Sequence, residues 1–234
     1  MMGHGETAVL DIGSSKISVM IAEKGINNTF NIKSSAEENY DGFSGGEFFS
    51  EDSLKNAIIN AVKKAGENLR YNIKKVYVGV PSEFSYCITK EVNATFPKRK
   101  KLKDSDVFEI FESSQNFDEN SYVINRSPIY FILDDNRKVL NPVGEVTSKL
   151  NVLISYIITD KKFINLITNI LNEARIYEID FISSSLAEAL YLTEPEVRDS
   201  GLILIDSGYI TTSVSLVKGD GLLCMKAFSM GGGH

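Results

Sequence analysis

The sequence predicts an α/β fold carrying a small inserted α+β subdomain, and three observations lead there. Strand-like and helix-like segments alternate through residues 148–192. A strongly periodic helix over 50–69 separates one strand group from the next. The opening and closing segments also share one motif, an apolar strand that ends in Asp-x-Gly.

Residues 8–12 form a short apolar strand, followed by the turn Gly13-Ser14-Ser15. Ile17, Val19 and Ile21 then alternate at the period of a half-buried strand. Lys24-Gly25 closes a second turn before 30–33, completing a three-stranded meander. Over 50–69, Leu54, Ile58, Ala61, Val62, Ala65 and Leu69 recur at three- and four-residue steps, giving one apolar helix face. Ser50 can cap the first turn, and Glu51 and Asp52 suit the positive end of the helix dipole. Residues 75–80 (KVYVGV) read as a strand ended by Pro81.

The texture then changes. Residues 82–147 hold a strand-like piece at 84–92, a basic loop and a short helix capped by Asp104 with Val107, Phe108 and Phe111 inward. A strand pair around 122–133 and the element Asn141-Pro142-Val143-Gly144 complete this insertion. Its aromatics Phe108, Phe111, Phe117, Tyr122, Tyr130 and Phe131 read as a small core. Residues 148–158 are strand-like and apolar, and a helix from Asp160 puts Phe163, Ile164, Ile167, Ile170, Leu171 and Ala174 on one face. A strand at 177–182 and a helix at 185–192 follow. The chain ends in a second meander, 202–205, 211–217 and 222–228, then Gly231-Gly232-Gly233-His234.

The chain has 234 residues, 43% hydrophobic and 24% charged, enough for a substantial core. Its net charge of -6 argues against nucleic-acid binding, which needs a basic surface to neutralise phosphates. No apolar run approaches the roughly 18 residues of a membrane span, and residues 1–6 do not read as a signal peptide. Cys87 and Cys224 have no metal-ligand spacing and are expected to be reduced core thiols, so a cytoplasmic location is expected. His4 and His234 at the ends, His4 in an N-terminus expected to be disordered, suggest no metal site. Lys98-Arg99-Lys100-Lys101 and Lys103 form the one basic cluster, readable as a solvated loop or as a contact for an acidic partner or phospholipid head groups.

The chemistry lies in the repeat. Asp11-Ile-Gly13-Ser14-Ser15-Lys16 and Asp206-Ser-Gly208-Tyr-Ile-Thr211-Thr212 each follow an apolar strand and precede an alternating one. Glycine lets backbone amides turn toward an anion, and hydroxyls add donors. Lys16 can offer a mobile charge to a phosphate. Aspartates at the strand ends suit a magnesium ion held through water. One such turn is an ordinary hairpin as readily as a site; two facing turns can clamp a polyphosphate.

These paired hairpins resemble the two phosphate loops of the actin/Hsp70/sugar-kinase superfamily, and within it the chain resembles the bacterial cell-division FtsA family over essentially its whole length. Asp11 to Lys16 matches that family's DIG(S/T)SK loop, and Asn141-Pro142-Val143-Gly144 its NPVG element. Gly231-Gly232-Gly233 falls where the family has a glycine pair opening a helix. The resemblance implies an actin-like (ribonuclease H-like) ATPase fold, cut before the nucleotide site is complete. Subdomain 1A of the first lobe would be 1–82 plus 148–198, the inserted 1C subdomain 83–147, and the start of the second lobe 199–234. It implies ATP and Mg as cofactors. Asp11, Gly13, Ser14, Ser15, Lys16, Asp206, Gly208, Thr211, Thr212, Gly232 and Gly233 would bind nucleotide, and Asp11 and Asp206 would hold magnesium through water. Implied partners are an FtsZ-like tubulin homologue and further copies of the chain, with membrane attachment through a C-terminal region beyond His234 and no nucleic acid.

The second loop departs from the family's glycine-rich pattern, since Tyr209 and Ile210 stand where two further glycines are usual. Bulky and β-branched side chains resist positive φ and close backbone approach. Ser183-Ser184-Ser185 replaces a Glu-Pro pair, and Glu188 reads as an exposed helix residue, so at most weak ATPase activity is expected and no catalytic base is assigned. The final meander is expected to expose an apolar face or sheet edge. The alternatives are a sugar or acetate kinase of the same superfamily and a type IV pilus assembly actin homologue.

Overall fold

The computed structural model describes residues 6–67, 69 and 72–233, so His4 and His234 lie outside the described residues. The first sheet has five strands: β1 (Glu6–Ile12), β2 (Lys16–Lys24), β3 (Phe30–Asn39), β6 (Lys75–Val80) and β11 (Glu178–Ser183), ordered β11-β6-β1-β2-β3. β1, β6 and β11 run parallel, while β2 and β3 continue antiparallel as the opening meander. A two-stranded hairpin, β4 (Phe43–Ser44) with β5 (Glu47–Phe48), leads into α1 (Glu51–Glu67). Ser50 Oγ accepts from Ser53 N–H at 3.1 Å, the expected cap. α1 and α3 (Lys161–Glu173) pack on this sheet, burying Leu54, Ile58, Ile167 and Leu171 against Leu10, Ile17 and Val78.

A second sheet has the order β7-β10-β8-β9, with β7 (Ser85–Lys101), β8 (Ser121–Leu133), β9 (Lys138–Val139) and β10 (Val146–Asp160). The strand expected at 148–158 lies here, hydrogen-bonded to β7 on one side and β8 on the other, and not in the five-stranded sheet. The basic cluster is likewise no loop: 98–101 finish β7, and Lys100 and Lys101 pair with Thr147 and Val146 of β10 beyond an irregularity that takes in Lys98 and Arg99. α2 (Asp104–Ser113) covers this sheet, and the Asp106 carboxylate, not Asp104, reaches back to Lys103 N–H at 2.9 Å. Phe131 is buried there with Phe111 and Phe117 packed alongside. Phe108, expected inward, is 55% exposed beside Arg126, and Tyr122 instead meets Phe181 of the first sheet. Asn141-Pro142-Val143-Gly144 forms a side-chain-closed turn: Asn141 Oδ1 accepts from Val143 N–H at 3.0 Å, and Gly144 N–H ties it to Leu102 O at 2.9 Å.

α4 (Ser184–Leu192) and α5 (Pro195–Ser200) lead to the closing meander, β12 (Leu202–Ser207), β13 (Thr212–Lys218) and β14 (Gly221–Phe228). Its inner face, with Val217, Leu222 and Met225, packs on Leu186 and Ala189 of α4 and on Ile157 of β10. Its outer face leaves Ile203, Ile205 and Phe228 open, the apolar surface expected from sequence. Cys87 is partly buried, its thiol against Leu222 O, but Cys224 is exposed rather than in the core. Among the described residues, no helix is long and apolar enough to cross a membrane.

Candidate functional site

The two Asp-x-Gly turns are the same structure twice. Asp11 pairs across β1–β2 with Ser18, and Asp206 pairs across β12–β13 with Ser213. Gly13 N–H donates to Lys16 O at 3.0 Å, and Gly208 N–H donates to Thr211 O at 2.8 Å. Equal spacing from strand to turn has produced equal geometry.

The turns face each other across a cleft of about 220 Å³ lined by Asp11, Gly13, Ser14, Ser82, Glu83, Ser184, Ser185, Asp206, Gly208 and Thr211, among others. It lies at the carboxyl ends of the parallel strands, the usual ligand position in an open α/β sheet. Ser184 and Ser185 begin α4, so a helix N-terminus, capped by Ser183 Oγ, also opens here.

The electrostatics follow from crowding. Burial first, and the nearby Asp206 carboxylate second, push the Asp11 carboxyl above its usual range, with Lys16 opposing them. Asp11 is exposed to water yet lines the cleft, and the protein crowded around its carboxyl accounts for the desolvation. Burial and then Asp11 also raise the Tyr40 phenol, whose hydroxyl braces the first turn by donating to Gly13 O at 2.7 Å. Glu188, read from sequence as an exposed helix residue, is partly buried, and its carboxyl is raised by burial, then by Asp206 and Asp11. It therefore belongs to the same acidic field. The spacing held the clue: Glu188 stands three residues after the cleft-lining Ser185, on one helix face. Among the described residues no three His, Cys, Asp or Glu side chains converge as a bare-metal cage. Asp11 and Asp206 do fit a magnesium ion that keeps its water.

Other expected site residues are engaged elsewhere. Lys16 pairs with Glu37 at 2.8 Å, an exposed ion pair of little strength. Ser15 O accepts from Tyr40 N–H, and Thr212 Oγ1 donates to Met230 O. Gly232 and Gly233 are not among the residues lining the cleft; their N–H groups donate to Gly208 O and Tyr209 O at 2.9 Å each. A Cβ on Gly231 would sit 2.4 Å from Tyr209 O, so this glycine run exists to pack on the loop carrying Tyr209. Tyr209 and Ile210 both keep negative φ, and Ile210 N–H donates to Ser14 Oγ at 3.0 Å, joining the two turns directly. Glu83 makes a second junction: it accepts from Ser229 Oγ at 3.2 Å and from Gly46 N–H at 3.4 Å, while Ser229 Oγ accepts from Gly45 N–H.

No protein-family model matches the chain. It is 24% identical over 237 aligned positions to cell division protein FtsA of Streptococcus pneumoniae serotype 2 (strain D39 / NCTC 7466), covering 100% of this chain and 52% of that protein. It is 23% identical over 235 positions to FtsA of Bacillus subtilis (strain 168), covering 99% of this chain and 53% of that protein. The chain thus spans about half the length of these relatives. Among solved structures, a PilM-PilN type IV pilus biogenesis complex matches with TM-score 0.60 and 16% identity over 97% of this chain and 62% of that one. The ethanolamine utilization protein EutJ from Carboxydothermus hydrogenoformans matches with TM-score 0.52 and 9% identity, over 97% and 53%. The chain has the actin-like ATPase fold and is similar in sequence, over all of its own length and about half of theirs, to the FtsA cell-division proteins.

Proposed function

We propose that this chain is the first nucleotide-clamping part of an actin-like cell-division protein, binding ATP with magnesium and acting as an assembly switch. The observation that carries the reading is the convergence of two identically folded Asp-x-Gly turns on one cleft. Asp11 and Asp206 would orient the waters of a magnesium ion, which neutralises the charge of the phosphates it accompanies. Ser14, Thr211 and the first residues of α4 would donate hydrogen bonds to phosphate oxygens. The second turn would contribute less than the first, because Tyr209 and Ile210 stand where further glycines would let the backbone close on a phosphate. Nucleotide then works as a ligand that fixes the relation of the two turns. In the complete protein, assembly with further copies, attachment to the inner membrane face and recruitment of a tubulin-like ring protein belong to the same proposal. The domain division 1–82 plus 148–198, 83–147 and 199–234 is proposed with it, although β10 pairs within the sheet of the insertion.

The pilus-assembly alternative rests on likeness of fold, whereas the relatives matched by sequence over the whole chain are division proteins. Two measurements test the proposal. A fluorescent ATP analogue should bind in the presence of Mg²⁺ and lose at least about tenfold affinity in Asp11→Asn or Asp206→Asn. The tagged complete protein should gather at mid-cell in its host; an even distribution, or a polar one tied to pili, overturns the division reading.

A further inference from the structure

Where the inserted sheet meets the closing meander, one buried hydroxyl holds both backbone polar groups of Leu222. Ser155 of β10 is 1% exposed, and its Oγ donates to Leu222 O at 2.7 Å and accepts from Leu222 N–H at 3.2 Å. The Cys87 thiol of β7 donates to the same carbonyl at 3.0 Å. The contact has no slack. A Cβ on Gly221 would lie 2.6 Å from Ile129 Cδ1 and 3.0 Å from Ser155 Cβ, and Val217 and Leu222 are packed on Ile157. Arg198 of α5 fixes the adjoining turn through Gly219 O and the Asp220 carboxylate.

The other end of the same hairpin reaches the cleft, where Thr211, Ser213 and Ala227 are among the lining residues. There Ile210 N–H donates to Ser14 Oγ and Ser229 Oγ donates to Glu83. This end has room behind it: a cavity of about 220 Å³ lies between Met225, Ala227 and Ser229 on one side and Gly46, Glu83 and Ser85 on the other. The inserted sheet is itself fixed to the first sheet. Phe84 packs 4.9 Å from both Phe43 and Phe163, Thr159 Oγ1 donates to Phe84 O at 2.6 Å, and Tyr122 meets Phe181. One body thus holds the meander at both ends, tightly at the insertion and loosely at the cleft. The seven residues of β13 between the two holds span roughly 20–25 Å. The one irregularity in the β13–β14 pairing falls beside Val217, inside the packed end.

Resting on the nucleotide reading above, we propose that the Ser155–Leu222 contact is autoinhibitory: it keeps the closing meander where Ile210 N–H meets Ser14, and so opposes polyphosphate binding in the cleft. A phosphate that shifts the second turn tilts a hairpin whose far end cannot yield, and this loads the contact. The coupling is reciprocal: nucleotide loosens Leu222 from Ser155, and loss of the Ser155 hydroxyl strengthens nucleotide binding. The inserted subdomain is thereby a brake on a cleft that it does not touch through Ser155.

Two readouts test this in the full chain. Affinity for a fluorescent ATP analogue with Mg²⁺ should rise at least about threefold in Ser155→Ala, which leaves the cleft lining intact. The Cys87 thiol reports the contact directly, because burial raises its pKa and Leu222 O engages it, so it reacts slowly while the contact is closed. In a Cys224→Ser background, alkylation of Cys87 should accelerate at least about threefold at saturating Mg·ATP. Ser14→Ala/Ser229→Ala, which frees the cleft end without nucleotide, should accelerate it as well. Circular dichroism establishes that the variants fold, and the Cys87 readout decides the matter should Ser155→Ala not fold. Folded Ser155→Ala that binds no tighter overturns the proposal. So does a Cys87 rate unchanged or slowed by bound Mg·ATP, or unchanged in Ser14→Ala/Ser229→Ala. A natural chain that binds no Mg·ATP, while the double variant still frees Cys87, would instead overturn the nucleotide reading and leave the link between the two ends standing.

Discussion

The opening and closing meanders share a turn but not a fate. In the first, β1 and β2 are sandwiched into the main core, where Leu10, Ile17 and Ile21 are fully buried, and Tyr40 braces the turn from behind. In the last, β12 is an edge strand whose Ile203 and Ile205 face outward, and the turn is held by a run of glycines packed on Tyr209. The backbone geometry repeats because Asp-x-Gly and the strand pairing repeat. The chemistry does not, because side chains after the glycine decide which amides remain free. A repeated motif therefore establishes a shared scaffold, and each copy's neighbours must be read separately for function.

This contrast can be broken most sharply by core truncation. Leu10→Ala should cost about 2–5 kcal/mol in urea unfolding. Ile205→Ala, at the matching place before Asp206, should stay within about 0.5 kcal/mol. Equal costs would mean that the two sheets are equally enclosed. A smaller effect comes from the supports of the turns. Gly42 sits at φ +89° with Ser14 O only 2.2 Å from where a Cβ would lie, so Gly42→Ala should cost about 2–3 kcal/mol. Gly231→Ala also collides but at ordinary φ, and should cost less and act mainly on Tyr209.

Restoring glycines to the second turn sharpens the chemical half of the comparison. Tyr209→Gly/Ile210→Gly should raise Mg·ATP affinity about tenfold, close to 1.4 kcal/mol, while lowering stability slightly. Unchanged affinity would show that the first turn alone sets binding. The smallest effect concerns pH. Asp11 binds its proton more tightly folded than unfolded, so its contribution to stability is full below the unfolded carboxyl value and lost as pH rises through the raised one. Asp11→Asn keeps that contribution, so without nucleotide the variant should melt higher near neutral pH and match the natural chain near pH ~3. A variant melting lower at neutral pH would remove the crowding argument.

Local pattern made much of this legible. The helices over 51–67, 161–173 and 184–192 follow from apolar periodicity and caps within a residue or two at most boundaries. The meanders follow from glycine turns. What stayed hidden was pairing over distance. β7 continues through Lys98-Arg99-Lys100-Lys101, which reads as loop by charge, because Lys100 and Lys101 pair with Thr147 and Val146 of β10, distant in sequence. Phe108 points outward although its type suggests core, since the sheet beneath α2 is already filled by Phe111, Phe117 and Phe131. At the cleft, the aspartates and their turns were readable as a repeat, but the contacts of Lys16, Thr212, Gly232 and Gly233 within the chain were not. Their partners, Glu37, Met230 O and the Tyr209 loop, are set by tertiary contacts that a motif does not contain.

The bond from Ile210 N–H to Ser14 Oγ has a further consequence. It clasps the turns together by themselves, so on the proposed nucleotide reading a phosphate would have to unlatch them. The hydroxyl and amide it releases are the donors that phosphate needs, and the exchange costs only about 0.5–1.5 kcal/mol. Such a clasp makes ligand entry and separation of the two meanders a single event, in which a small molecule trades places with a serine.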